Sequence, residues 1–201
     1  MPIPITQIPL ERCQVIVLAA GRGTRMGCPK ALMAVGGRPW WQIQHSRLQA
    51  LRIPETWIVS EQVRSAIVDA SPNPPRLILG DPAAPMFSSL VAGLRSLSGQ
   101  EGAFVLPIDT PASTKRQTWQ LLAVEHHASV PTFAGKKGHP VFLPKHWITS
   151  TLKLAERASD PASLRLDQLI GSVARLVAVD DPDVSQNLNT PEDVAVYAAT
   201  R

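Results

Sequence analysis

The stretch VLAAGRGTRMGCPKAL, Val17 to Leu32, decides the reading of the fold. An apolar run passes straight into a segment holding three glycines, two arginines, a proline and a lysine. Glycine lets backbone N–H groups approach a ligand closely, and clustered cations favour an anion, so the segment reads as a phosphate-binding loop at the end of a buried strand.

Working outward, QVIVLAA (Gln14 to Ala20) is a β-branched apolar run of the kind found in a parallel strand covered on both faces. RPWWQIQHSRLQALR (Arg38 to Arg52) places Trp41, Ile43, Leu48 and Leu51 at near-helical spacing. Further strands are expected at Thr56–Ser60, Arg76–Gly80, Ala103–Ile108, Val130–Ala134, His139–Leu143 and Val173–Val179. Helices are expected near 61–70, 87–98, 113–128, 144–157 and 191–199. Such alternation predicts an open, mostly parallel, doubly wound α/β sheet in three layers. The short FAGKKGHPVF turn leaves no room for a crossover helix and so predicts a small antiparallel insertion. One domain over residues 1–201 is expected, with residues 1–12 as an N-terminal extension.

Composition narrows the partners. With 44% hydrophobic and 18% charged residues the chain is ordinary globular material, which argues against wholesale disorder. A formal charge of +4, with no basic stripe interleaved with aromatics, suits an anionic small molecule and disfavours nucleic acid. Cys13 and Cys28 lack any metal-like spacing and read as free thiols in a reducing compartment. The opening MPIPITQIPLERC lacks the pattern of a signal peptide, and no run approaches the ~18 apolar residues of a membrane span, so a cytoplasmic location is expected.

Two phosphate-loop patterns fail on spacing. A P-loop needs Gly-Lys-Ser/Thr, whereas Gly27 is followed by Cys28-Pro29-Lys30. Gly21, Gly23 and Gly27 give GxGxxxG, not GxGxxG, and the next strand-end carboxylate, Glu61, lies far beyond the ~20 residues a dinucleotide site expects.

LAAGRGTRMGCPKAL does resemble the LAxGxGxRMGxxK signature of nucleotidyltransferases with a GT-A-like, Rossmann-like fold, and most closely that of the molybdenum cofactor nucleotidyltransferases, the MobA/MocA family. FSSLVAGLRSL (Phe87 to Leu97), LPIDTP (Leu106 to Pro111), GKKGHPVFLP and NLNTPEDV (Asn187 to Val194) resemble further family segments in the same order, so the likeness runs from about Val15 to Tyr197. Two departures fall on the acceptor side: Asp109-Thr110-Pro111 stands where cytidylyl-transferring members have D-Q-P, and SDPASLR replaces G-D-x-G-A-R.

The resemblance implies transfer of a nucleotidyl group from a nucleoside triphosphate to a phosphorylated acceptor, with molybdopterin the expected acceptor and a molybdoenzyme or its chaperone a further partner. Because a phosphate nucleophile is already anionic, alignment and charge neutralisation would suffice. It also implies a nucleotide site of Leu18, Ala19, Ala20, Gly21, Arg22, Gly23, Thr24, Arg25 and Lys30, with Ser88 and Ser89 toward base or ribose. Arg25 is expected to hold the departing pyrophosphate and Lys30 to stabilise charge at the α-phosphate. LAAG, as opposed to LAGG, resembles the CTP-using branch over the GTP-using one.

Mg²⁺ is the expected cofactor, held by Asp109 at a strand end and by Asn189, with Asn187 as the alternative second ligand. Capping offers other readings: Asp109 as N-cap of a helix after Pro111, the Asn-x-Asn pair as cap of the last helix, and Ser88 and Ser89 as caps of theirs. His139 is the candidate contact to the acceptor, with a structural role open. His126 and His127 are expected on the exposed side of a helix, and Trp40, Trp41, Trp57, Trp119 and Trp147 in the core. Cytidylyl transfer to a sugar or polyol phosphate, and nucleotide binding without turnover, stand as alternatives.

Overall fold

The computed structural model describes residues 6–23, 27–160, 163–171 and 173–200. Its strands are β1 (Cys13–Ala19), β2 (Ala34–Val35), β3 (Arg38–Pro39), β4 (Glu55–Val59), β5 (Arg76–Leu79), β6 (Gly102–Pro107), β7 (Ser129–Phe133), β8 (Lys136–Lys137), β9 (Val141–Pro144) and β10 (Arg175–Ala178). Its α-helices are α1 (Trp40–Leu51), α2 (Glu61–Ala70), α3 (Met86–Arg95), α4 (Arg116–Leu122), α5 (Lys145–Arg157), α6 (Leu166–Ile170) and α7 (Pro191–Ala199).

The strand at the head of the glycine segment is the centre of the molecule. Every residue of β1 is buried, between β4 on one side and β6 on the other, both parallel to it. Successive side chains point to opposite faces, so Val15, Val17 and Ala19 join one core with Trp57, Phe104 and Leu106, while Ile16 and Leu18 join another with Ile58 and Val105. Both faces need apolar residues, which is why β1 reads as a continuous hydrophobic run. Gln14 is the exception, and its amide is satisfied by the Thr56 hydroxyl and by Gln100.

The main sheet has eight strands in the order β10-β7-β9-β6-β1-β4-β5, with β8 paired to β7 off that path. Residues of α1, α2, α4 and α7 fill the core on one face, and residues of α3, α5 and α6 the core on the other. The expected doubly wound, three-layer architecture is therefore present. The antiparallel element is also there: β8 folds back on β7, and β9 runs antiparallel between β6 and β7. A separate two-stranded ribbon, β2 with β3, was not evident from so short a pattern.

Several local expectations change. The helix read over 113–128 is confined to α4, because the Ser113 hydroxyl is drawn to Asp181 before it starts and the backbone pairs Val124 with Gln7 after it ends. His126 and His127 therefore lie in the following turn, not on a helix, and His126 adopts φ 67°. The strand read from His139 begins at Val141, since the His139 N–H is spent on the Val184 carbonyl at 2.8 Å, outside the sheet. Trp40, Trp41, Trp57 and Trp119 are core residues as expected, and Trp147 packs partly buried against the second core.

Candidate functional site

After β1 the chain proceeds to β4 and β5 on one side, then returns to form β6 on the other. The carboxyl ends of β1 and β6 thus flank the point where the direction of winding reverses, the place where open α/β sheets bind ligands. Both loops that leave these ends carry expected site residues.

The loop after β1 is shaped by Gly23. Its φ of +63° is left-handed, and a Cβ there would stand 2.0 Å from the Cys28 carbonyl oxygen, so only glycine lets the chain pass. The returning strand of the loop makes a single 3-10 turn, Lys30–Leu32, after Pro29. That turn directs the Lys30 ammonium back to the end of β6, where it donates to Asp109 Oδ2 at 2.9 Å and to Asn189 Oδ1 at 2.6 Å.

Asn189 reaches this point through backbone contacts. The Leu188 N–H donates to the Asp109 carbonyl at 2.7 Å, which brings the 187–189 segment beside the end of β6. The next residue, Thr190, caps α7 in a reciprocal capping box with Asp193, and the Asp193 carboxylate also accepts from the Asn189 N–H. These hydrogen bonds to backbone N–H groups hold the Asp193 carboxyl below its usual value. Thr190 is thus the cap, and the Asn189 side chain is left for the site. The cap reading of Asp109 also falls, because the next helix, α4, starts only at Arg116.

Two adjoining depressions lie along this edge of the sheet, and the smaller one opens on Lys30 and Asp109. The smaller, about 210 Å³, is lined by Gly21, Gly23, Lys30 and Asp109, with Ala20 and Ser89 at its wall. The larger, about 690 Å³, contains His139, Lys137 and Asn187 in a largely apolar lining that includes Phe87, Leu90 and Val141. Leu18, Met86 and Pro107 line both, so the two adjoin along one ridge.

The other expected residues divide. Ala19 sends its side chain into the core on the opposite face, while Arg22 is exposed and lines neither depression. Thr24 and Arg25 lie outside the described residues. Ser88 and Ser89 sit inside the first turn of α3 and cap nothing, since Pro85 holds the N-cap position. Ser89 is buried at the smaller pocket, whereas Ser88 is exposed and lines neither.

His139 is half-buried and lines the larger cavity alone of the two. Burial pushes its imidazole below the ordinary histidine value, against the opposing pull of the Asp109 carboxylate and of the Val105 backbone. Nδ1 is buried and has no hydrogen-bond partner among the described residues. Gly138 allows this placement, because a Cβ on it would lie 1.8 Å from the Val184 carbonyl oxygen.

Asp81 was missed. It follows the end of β5, lines the smaller pocket, and is held by accepting from the Ala83 N–H at 2.7 Å. The strand-end rule that singled out Asp109 applies equally to it. The lining from Leu164 to Gly171 was missed for another reason: α6 is short and amphipathic in no readable pattern.

Two oxygens, one from a carboxylate, converge on a single cationic position at Lys30 Nζ. Hard oxygen donors of this kind fit a divalent cation that takes its remaining ligands from phosphate and water. Among the described residues no cluster of three or more His, Cys, Asp or Glu side chains would hold a metal without such help.

Ligand chemistry of this sort at the switch point of a parallel sheet is that of a nucleotide-handling α/β protein. Comparison with known sequences is more specific: residues 15–172 match the MobA-like NTP transferase domain, and the chain belongs to that family. It is accordingly a nucleotidyltransferase. It is 29% identical over 188 residues to the molybdenum cofactor guanylyltransferase of Rhodobacter capsulatus, covering 90% of this chain and 92% of that protein. Among solved structures it is similar to Mycobacterium tuberculosis Rv0371c in complex with manganese, at TM-score 0.73 and 17% identity over 98% of this chain and 100% of that one. It is also similar to 4-diphosphocytidyl-2C-methyl-D-erythritol synthase of Anaerococcus prevotii, at TM-score 0.72 and 16% identity over 94% and 95% of the two chains. Among the described residues no helix is long and apolar enough to cross a membrane.

Proposed function

We propose that the chain transfers a cytidylyl group from CTP to the phosphate of molybdopterin, releasing pyrophosphate. The observation that carries this reading is that Lys30 and Asp109, both lining a small glycine-containing pocket, meet Asn189 through the Lys30 ammonium, and that this pocket adjoins a larger, mostly apolar cavity. One pocket suits the triphosphate and the other a phosphorylated acceptor with a sizeable body. In-line attack needs the two phosphates side by side, which the shared ridge of Leu18, Met86 and Pro107 provides.

In this reading, backbone N–H groups of the Gly21–Gly23 segment receive the triphosphate, and the Lys30 ammonium offsets charge as the α-phosphate reacts. Asp109 and Asn189 would hold Mg²⁺. When bound there, the cation neutralises phosphate oxygens and so favours departure of pyrophosphate. Arg25 serves the departing group, and His139, which lines the larger cavity, contacts the acceptor. A molybdoenzyme or its chaperone would receive the product.

The base preference rests on Ala20. Its methyl group lies at the pocket wall beside Gly80 and Ser89, where extra bulk favours a pyrimidine over a purine. GTP is the second reading, favoured by similarity to a guanylyltransferase. The Asp81 carboxylate would accept from the amino group of either base. Pyrophosphate release is to be measured with each of four nucleoside triphosphates against molybdopterin and against polyol phosphates, with and without EDTA. Metal-dependent release with CTP and molybdopterin is the expected result. Faster release with GTP overturns the base assignment, release with a polyol phosphate alone overturns the acceptor, and nucleotide binding with no release under any pairing makes the chain a binder.

A further inference from the structure

Beyond Pro107 the chain leaves the sheet, and the backbone groups around Asp109 need partners that no strand supplies. They find them on one side of α1. The Trp40 indole N–H donates to the Ile108 carbonyl at 2.6 Å. The Gln44 amide donates to the Thr110 carbonyl at 2.7 Å and accepts from the Ala112 N–H at 2.8 Å. Arg47 donates to the Ala112 carbonyl at 3.0 Å, and the same nitrogen reaches Asp183 at 3.0 Å. Residues 40, 44 and 47 follow the i, i+4, i+7 spacing that aligns side chains on one helix face. A helix has no backbone groups free for lateral pairing, so these three side chains act in place of a neighbouring strand.

Gln44 is the telling member. It is fully buried on a helix face otherwise made of Trp40, Trp41, Leu48 and Leu51, where an apolar residue would pack without needing partners. A buried amide is costly unless both ends are bonded, and here both ends are bonded to the two residues that bracket Pro111. The far side of the same loop is held by Leu188 N–H on the Asp109 carbonyl and by the Thr110 hydroxyl on Asn187 at 3.3 Å. Asp109 is thus clamped from two sides.

We infer that Gln44, flanked by Trp40 and Arg47, is a positioning residue that sets the Asp109 carboxylate for the divalent cation and the reacting phosphate. The inference rests on the reading of Asp109 as a metal-holding residue. It assigns α1, which lines neither pocket, a role in the chemistry.

The test is a Mn²⁺ titration followed by electron paramagnetic resonance, in separate series with CTP and with GTP, beside thermal melts and turnover. Gln44→Leu should weaken Mn²⁺ binding about tenfold and slow turnover by up to about a hundredfold, as expected for a small misplacement of a reacting group. Nucleotide affinity without metal should stay at the wild-type level. Gln44→Glu keeps the acceptor for the Ala112 N–H and, when protonated, a donor for the Thr110 carbonyl, so it should recover part of the loss toward low pH. Trp40→Phe keeps the ring and removes one donor, so it should show a smaller change of the same sign, and it decides the matter if Gln44→Leu does not fold. A Gln44→Leu protein, or Trp40→Phe in its place, with a lowered melting temperature but wild-type Mn²⁺ affinity and turnover overturns the inference and leaves a packing role only. Asp109→Asn, measured alongside, separates the two failures: unchanged Mn²⁺ binding there removes the metal reading and this inference with it, whereas a loss there with none in Gln44→Leu removes the inference alone.

Discussion

The small pocket at the glycine loop and the larger cavity beside it are built in opposite ways. The first draws its lining from the end of β1 and the loop after it, from residues 81–89 and from the end of β6, and it carries the charged side chains of Lys30, Asp81 and Asp109, with Lys30 bonded to both Asp109 and Asn189. The second is assembled from side chains of β6, β7, β9, α3, α6 and the turn before β9, most of them apolar. Charge convergence fixes one, and shape fixes the other. A nucleoside triphosphate presents the same phosphates whatever its acceptor, so a fixed set of charges suits it. Acceptors differ in body, and an apolar cavity whose walls come from separate elements can be reshaped without disturbing the loop.

The sharpest way to break this contrast is to remove the cation shared by Asp109 and Asn189. Lys30→Ala should lower turnover by about 10²–10³, the range seen when a group that stabilises developing charge is lost, while nucleotide affinity changes far less. Turnover from single-cycle mixing, beside calorimetric titration of CTP and GTP, checks the split. If affinity and rate fall together, Lys30 is a ground-state contact and the small pocket is only a binding site.

A pair of glycine substitutions tests whether the two sites are separable. Gly23→Ala forces a Cβ against the Cys28 carbonyl at a φ of +63°, so the loop must rearrange and nucleotide affinity should drop by about tenfold or more. Gly138→Ala drives a Cβ into the Val184 carbonyl and should cost about 1–3 kcal/mol of stability while raising the acceptor KM. Each variant should leave the other substrate's binding near wild type. A Gly138→Ala protein with impaired nucleotide binding would show that the sites share more than their ridge.

The same contrast explains what the sequence revealed. β1 was legible because a strand buried on both faces must be apolar throughout, and the loop after it because glycines and cations cluster there within a few positions. The alternation of strands and helices then set the three layers. Asp109, Lys30 and Asn189 were each singled out, yet their meeting was not derivable from spacing, since it depends on the Leu188–Asp109 backbone bond. α4 came out shorter than its pattern because tertiary bonds from Ser113 and Val124 claimed the residues at its ends. The cavity was the least legible part. No periodicity marks a wall drawn from so many elements, and Gln44 acts through partners distant in the chain.

His139 offers the finest separation of the two regions, through pH. Its folded-state pKa is lowered, chiefly by burial, so it takes up a proton less readily than the unfolded chain does. As pH falls below the unfolded value of about 6.5, the unfolded state binds a proton that the folded state refuses, and stability falls; above that value this contribution is fully present and constant. One such proton bounds the slope at about 1.4 kcal/mol per pH unit. His146 is shifted the same way, by burial first and then by the neighbouring imidazoles of His126 and His127, but it is mostly exposed and should contribute less. Thermal melts between pH 7.5 and pH 5 should therefore fall less steeply for His139→Gln than for wild type, with His146→Gln nearer to wild type. Because the imidazole lines the larger cavity and not the smaller pocket, the same substitution should leave nucleotide affinity at neutral pH unchanged. If wild type and His139→Gln lose stability in parallel, the ring is not held neutral in the fold.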